Sequence, residues 1–338
     1  MRNWRTIVAA ALAVVALAAC APKPGEGAGP AVRIGIGGQP LLVYLPTTLA
    51  DRLGFYRDAG VEVKMEDLQG GSKALQALQG GSVDVVSGYY DHAIQMQAKN
   101  RDVVAFVNML RYPSLVLAVS PKASKPINSV ADLKGANVGV TAPGSSTDFF
   151  LKHLLVSNGM AAEDAVVQGI GGDTTAVAAM EQGRVDAAVM LDPAVSQLQQ
   201  RAGQLKILTD TRTEQGVRED FGVATYPAAV LYSSREWLDA HPDQARKLAA
   251  AIVRTLDWIR THSAQEIAAA MPPEYAAGDP AGYAQAIEQV KAAYSQDGRI
   301  APDGAEAVRS VLARFIPEVG SADIDLAKTY SNDYLPAP

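Results

Sequence analysis

Gly70 to Val86 reads GGSKALQALQGGSVDVV, and Gly171 to Val189 reads GGDTTAVAAMEQGRVDAAV. Each stretch is a Gly-Gly turn, a Ser or Asp placed to cap, one short helix, a Gly, then Val-Asp and a strand. Two matching units about one hundred residues apart, with one inserted residue, predict the same βαβ element once in each of two lobes. The sequence around them follows the same grammar. Short β-branched runs at Val32–Gly37, Val61–Asp67, Val83–Tyr89, Val103–Leu110, Leu115–Val119, Asn137–Ala142, Ala165–Ile170, Asp186–Leu191, Leu205–Thr211 and Ala228–Ser233 alternate mostly with helical patterns. Such alternation argues for mixed, mostly parallel sheets flanked by helices, because a right-handed crossover returns the chain to the same edge.

After Ser234 the pattern turns almost wholly helical. Leu248, Ile252, Leu256 and Ile259 form one apolar stripe, Tyr283, Ile287, Val290 and Tyr294 a second, and Val308, Val311, Leu312 and Phe315 a third. Asp303 with Glu306 three residues on reads as a capping-box variant opening the third helix. No linker precedes these helices, so they are expected to pack on the first lobe. That gives a first lobe of 32–120 plus 221–338 and a second of 121–220, with chain crossings near Ser120 and Tyr226. Two crossings make a hinge, and closure about a hinge suits binding in the cleft between lobes.

The 338 residues, 48% hydrophobic and 20% charged, have an ordinary globular composition and exclude collagenous, low-complexity and polytopic membrane classes. Formal net charge is −6 with no Lys/Arg-rich run, which argues against nucleic acid as a partner. The single Cys excludes disulfides within one chain and Cys-based metal sites. That Cys is Cys20. Arg2 and Arg5 precede an apolar run from Ile7 to Leu17, and Leu17-Ala18-Ala19-Cys20 follows. Residues 1–19 therefore read as a secretory signal peptide, too short to span a bilayer, with Cys20 placed for lipid attachment. Residues 20–31, rich in Pro and Gly, read as a tether holding an exported domain beside a bacterial membrane.

In open parallel sheets, ligands bind beyond the carboxyl ends of the strands, where helix N-termini offer N–H groups and partial positive charge. Those junctions hold Gly38 and Gln39, Ser72, Tyr89 with Tyr90 and Asp91, Ser145 with Ser146 and Thr147, Asp173 with Thr174, and Asp192. Ser72, Asp173 and Asp192 also suit helix caps. The pleat sends Tyr89 and Tyr90 to opposite faces, so one of them faces the cleft. Arg111 follows a strand and is placed to pair with a carboxylate or sulfonate. The four histidines lack metal-ligand spacing, and no nucleotide-binding, zincin or nucleophile-elbow pattern is present. The reading is a binding protein with no cofactor, no metal and no catalytic residue.

The lipobox, the opening RIGIG from Arg33, Leu49-Ala50-Asp51-Arg52-Leu53-Gly54-Phe55-Tyr56-Arg57-Asp58-Ala59-Gly60-Val61, Gly80-Gly81-Ser82-Val83-Asp84, Val130-Ala131-Asp132-Leu133-Lys134-Gly135, and Gly183-Arg184-Val185-Asp186 with Leu191-Asp192-Pro193 together resemble the nitrate/sulfonate/taurine type of ABC-transporter substrate-binding protein. The resemblance implies a type II periplasmic-binding fold, capture of a small solute between lobes, and delivery by a monomer to a membrane permease with its ATPase. It places the contact regions on the junction residues from Gly38 to Asp192 named above. Many sulfonate-type members carry Trp where this chain has Leu191, and Gly-Tyr-Tyr-Asp-His is rich for a bare inorganic anion. An organic solute is therefore expected, anionic and sulfonate- or carboxylate-like. The alternatives are a binding protein for a thiamin-precursor pyrimidine, a pyrimidine-synthase-like enzyme of the same fold, and a scaffold lipoprotein without a solute.

Overall fold

The computed structural model describes residues 31–337. The signal peptide, Cys20 and nearly all of the tether lie outside the described residues.

Ten strands form where the β-branched runs fall: β1 Val32–Ile36, β2 Val63–Asp67, β3 Val85–Tyr89, β4 Val103–Asn108, β5 Val116–Val119, β6 Asn137–Val140, β7 Val166–Gly169, β8 Ala187–Met190, β9 Ile207–Asp210 and β10 Ala229–Ser234. They make two five-stranded sheets of orders β2-β1-β3-β10-β4 and β7-β6-β8-β5-β9. In the first, β1 runs parallel to β2 and β3 while β10 is antiparallel to β3 and β4. In the second, β6 runs parallel to β7 and β8 while β5 is antiparallel to β8 and β9. Position by position the second sheet repeats the first. This is the two-lobed periplasmic-binding-protein fold.

The antiparallel strands are those that adjoin the crossings: the chain leaves the first sheet after β4 to enter the second at β5, and leaves the second after β9 to return at β10. A direct connection between sheets has no crossover helix to reverse it, so the arriving strand runs against its neighbours. β5 precedes Pro121 and hydrogen-bonds into the second sheet, through Val116 with both Met190 and Asp210.

The Val-Asp of each repeat has a local cause. Asp84, at the entry to β3, accepts hydrogen bonds from Arg33 N at 2.9 Å and Arg33 Nε at 3.0 Å, which fixes β3 against β1. Asp186, at the entry to β8, accepts from Asn137 N at 2.9 Å and Ser124 N at 2.7 Å, fixing β8 against β6. Both carboxyls are exposed to a raising effect of burial that these donors outweigh, so both lie below the usual carboxylate range.

The repeated helices, Gly71–Gln79 and Thr174–Glu181, bury Ala74 with Leu75 and Val177 with Met180. The Gly-Gly start of the first is a packing requirement, since a Cβ on Gly71 would stand 3.0 Å from the His92 ring. In the tail, Pro242–Thr261 buries Leu248, Ile252, Leu256 and Ile259, and Pro280–Val290 buries Tyr283, Ile287 and Val290. Pro302–Leu312 buries Val308, Val311 and Leu312, but its cap differs from expectation. Ala301 stands at the N-cap with no side-chain bond and Pro302 fills the first helical position, where its missing N–H costs nothing. Asp303 turns to Gly304 N, and Glu306 to Arg309 and Ser310. The tail also reaches the second sheet's helices: Phe315 lies 6.1 Å from Phe149, ring to ring. Among the described residues no helix is long and apolar enough to cross a membrane.

Candidate functional site

The equivalent strands β3 and β8 each carry an Asp two residues past their ends, Asp91 and Asp192. Both are withdrawn from solvent, at 5% and 2% exposure, and their partners differ. Asp192 Oδ1 accepts from Ser196 N at 3.0 Å and Ser196 Oγ at 2.7 Å, and Oδ2 faces Arg212 Nη1 at 3.0 Å. Arg212 also pairs with Asp210 through Nε at 2.9 Å and Nη2 at 2.6 Å, and donates to Gln289 Oε1 at 2.8 Å. Burial lowers the guanidinium's proton affinity, yet its bonds to Asp210 and the charge of Asp192 outweigh this and hold it above its usual range.

Asp91 opens the helix Asp91–Ala98, and its Oδ1 accepts from Ser146 Oγ at 2.9 Å. No side chain among the described residues donates to its other oxygen. Burial raises its carboxyl above the usual range, against the opposing influence of His92 and the Ser146 hydroxyl. Asp91 lies in the wall of a recess closed by Tyr89, Phe149, Phe150, Phe221, Tyr226 and Phe315, with Ser146 beside it. None of the lining residues is basic. The space left between these walls, about 10 Å³, is that of one water molecule.

The recess spans both sheets' elements, and so do the polar contacts beside it. Ser72 N donates to Ser145 Oγ at 3.0 Å, Ser72 Oγ to the Pro143 carbonyl at 3.0 Å, and Leu42 N to the Asp192 carbonyl at 2.9 Å. His92, wholly buried, sets Nε2 3.3 Å from the Gly144 carbonyl and Nδ1 3.4 Å from Tyr232 Oη. The structure thus holds the two lobes face to face.

Tyr89, Asp91 and Ser146 meet in this recess, with Ser72 and Ser145 next to it. Gly38 and Asp173 line a second gap, together with Leu41, Asp67 and Gly172. There Gln39 N donates to Asp67 Oδ1 at 3.0 Å, and Asp173 caps the helix beginning at Thr174 by accepting from Thr175 N at 2.9 Å. Ser72 caps nothing, since its helix begins at Gly71 with Gly70 as N-cap. Thr147 Oγ1 stays inside its own lobe, accepting from Thr141 N at 3.0 Å. Tyr90 turns the other way, sharing a hydrogen bond with Thr329 Oγ1, while Tyr89 Oη donates to the Pro113 carbonyl at 2.6 Å. Arg111 donates from Nε to the Ala292 carbonyl at 3.1 Å and lies 4.7 Å from the Tyr112 ring centre.

Sequence reasoning missed Arg212 and the aromatic walls. Arg212 stands just past β9 as Arg111 stands just past β4, so the criterion that selected one applied to both. Phe149 and Phe150 follow the Ser145–Thr147 hydroxyls in the same helix, Ser146–Ser157, and two adjacent aromatics near a helix N-terminus were the available signal.

A family model described as NMT1/THI5 like matches residues 43–266. A solved structure from Bordetella bronchiseptica RB50 is 42% identical, with a TM-score of 0.86 over 90% of this chain and 95% of that one. The alkanesulfonate-binding protein SsuA from Xanthomonas axonopodis pv. citri, solved bound to MOPS, is 19% identical with a TM-score of 0.68 over 91% of this chain and 99% of that one. A curated relative, a 4-amino-5-hydroxymethyl-2-methylpyrimidine phosphate synthase of Aspergillus parasiticus, is 23% identical over 86% of this chain and 83% of its own.

Proposed function

This chain belongs to the NMT1/THI5-like family, and from that premise we propose that it is the solute-binding component of an ABC importer, an exported lipoprotein that captures a small organic solute between its lobes. It hands the solute to a membrane permease driven by an ATPase, works as a monomer, and is anchored through Cys20. The observation that supports this reading best is the arrangement of two repeated sheets, joined by two connections, whose strand ends meet across polar contacts such as Ser72 with Ser145. Lobes joined in that way part and close about the connections, which is how a solute is enclosed and released. We take the lobes as 32–120 plus 221–338 and 121–220, except that β5, Val116–Val119, goes with the second lobe because it pairs with β8 and β9.

Capture without turnover is supported by His92, whose ring nitrogens face Gly144 and Tyr232. The pyrimidine-binding alternative draws support from the aromatic walls around Asp91, which suit a flat ring. Mass spectrometry of solute retained through mild purification identifies the ligand, and small-angle scattering on its removal and return then shows expansion and compaction. A bound solute that leaves the radius of gyration unchanged overturns closure. Cys20→Ser is expected to move the protein from membranes to the soluble exported fraction with its melting temperature unchanged; retention on membranes refutes the anchor.

A further inference from the structure

The two sheets repeat each other, so Asp91 and Asp192 are the same position met twice. At Asp192 the fold supplies the counter-charge: Arg212 Nη1 lies 3.0 Å away and two Ser196 donors complete the carboxylate. At Asp91 the fold supplies two neutral donors, the Ser146 hydroxyl at 2.9 Å and the backbone N–H of His92, and no arginine or lysine. The nearest side chain able to carry positive charge is His92, whose nitrogens are directed at Gly144 O and Tyr232 Oη. No Lys or Arg pairs with Asp91 among the described residues, and the recess it faces has no basic wall. A carboxylate withdrawn from water without a counter-charge is costly, and its cost falls when a cation arrives.

The walls add no counter-charge of their own. Tyr89, Phe149, Phe150, Phe221 and Tyr226 surround the approach to Asp91 and withdraw it from water, with Phe221 stacked on the rings of His153 and Tyr226. An anion here would meet a buried carboxylate with no basic group in the wall to offset the repulsion. The hydroxyls that would have greeted an anion are occupied: Ser146 donates to Asp91, Ser145 is bonded to Ser72, and Thr147 to Thr141.

Resting on the reading of this chain as a solute-binding protein, we propose that its solute carries an ammonium or amidinium group, which enters the aromatic recess between the lobes and pairs with Asp91 in the role that Arg212 plays at Asp192. Ser146 is the residue that orients the carboxylate. The recess in its closed form has room for little more than a water, so the solute enters while the lobes are apart and its cationic end takes the place of the missing counter-ion as they close.

The test uses the mature chain and a matched series on one body: benzylammonium and benzamidinium, benzenesulfonate and benzoate, and benzyl alcohol, each titrated calorimetrically against wild type, Asp91→Asn and Asp91→Glu. The expected result is binding of the two cations with little for the others, weakened at least about thirtyfold by Asp91→Asn and partly restored by Asp91→Glu, which keeps the charge should the amide variant fold poorly. Binding of the sulfonate or benzoate, tightened by Asp91→Asn, overturns the cation assignment and leaves the importer reading intact. Binding of benzyl alcohol alone, or of no member of the series, also overturns it. The importer reading is judged separately by the retained solute: a solute found and shown to be an acid without a basic group removes only the cation, whereas membrane-extracted protein that retains no solute and is stabilised by none removes both.

Discussion

The ends of β3 and β8 are built alike and finished differently. Each strand is entered through a Val-Asp whose carboxylate is tied to the neighbouring strand, Asp84 to Arg33 and Asp186 to Asn137 and Ser124. Each is left through a buried Asp two residues on. At the entries both repeats use the carboxylate for the same task, holding register. At the exits Asp192 is closed into a network with Arg212, Asp210 and Gln289, while Asp91 faces an aromatic recess with the Ser146 hydroxyl and the His92 backbone N–H as donors and no arginine or lysine beside it. A repeated position that is given a counter-charge in one copy and none in the other is the difference on which the proposal of a cationic solute rests.

Removing the counter-charge from Asp192 is the most severe change. Arg212→Met leaves Asp192 buried and unpaired, and is expected to lower unfolding free energy by about 3–5 kcal/mol in urea titration. Asp91→Asn in the same assay is expected to change stability by less than about 1 kcal/mol, or to raise it, because it removes a carboxylate that burial already disfavours. Equal losses in the two variants would erase the distinction.

A smaller effect sharpens it by pH. Burial raises the Asp91 carboxyl, and it pushes Asp220, beside Phe221 of the recess, up to about 6. A raised folded value means that the stability tied to each group is full below the unfolded value and is lost as pH rises through the folded one. For Asp220 the window runs from about pH 4 to about pH 6, with a loss of about 1–2 kcal/mol after allowance for its partial exposure. Stability curves of Asp220→Asn should be flatter across that interval, and those of Asp91→Asn flatter above the ordinary carboxylate value. Unchanged slopes would mean that neither group is withdrawn from water in solution.

The smallest expected effect separates two hydroxyls. Ser145→Ala removes a bond between lobes and should weaken solute binding by about 1 kcal/mol, roughly fivefold, with little change in melting. Thr147→Ala removes a bond within the second lobe and should lower melting while sparing affinity. Reversed outcomes would reassign which of the two belongs to closure.

The ten strands were legible because β-branched runs bounded by Gly and Pro leave few alternatives, and the repeat was legible because its turn, helix and Val-Asp are set by local chemistry. Tyr89 and Tyr90 do point apart, although Tyr90 lies past the end of β3 in helical backbone rather than in the pleat. The antiparallel sense of β5 and β10 was not legible, since it arises from connections between sheets rather than from anything within the strands. Nor was the division of labour between Asp91 and Asp192. Both stand in similar local sequence, and what separates them is an arginine brought to Asp192 by the end of β9, twenty positions along the chain. Ser145, Ser146 and Thr147 stand at a strand–helix junction in the sequence, and the fold gives each of them an internal partner, two of them across to the first lobe's Ser72 and Asp91.

The place of β10 between β3 and β4 has a consequence for the order in which the polypeptide becomes ordered. The second sheet is made from contiguous chain and can be completed as soon as β9 exists. The first sheet lacks an inner strand until the whole of the other lobe has been synthesised. Closing so long a loop is slow by itself, but Val116 and Asp210 are register partners, so a second lobe that folds early brings its own two ends together and leaves only the short connectors to be spanned. In pulse-labelled hydrogen exchange during refolding, amides of β5 to β9 should gain protection first, and those of β3, β10 and β4 should follow together.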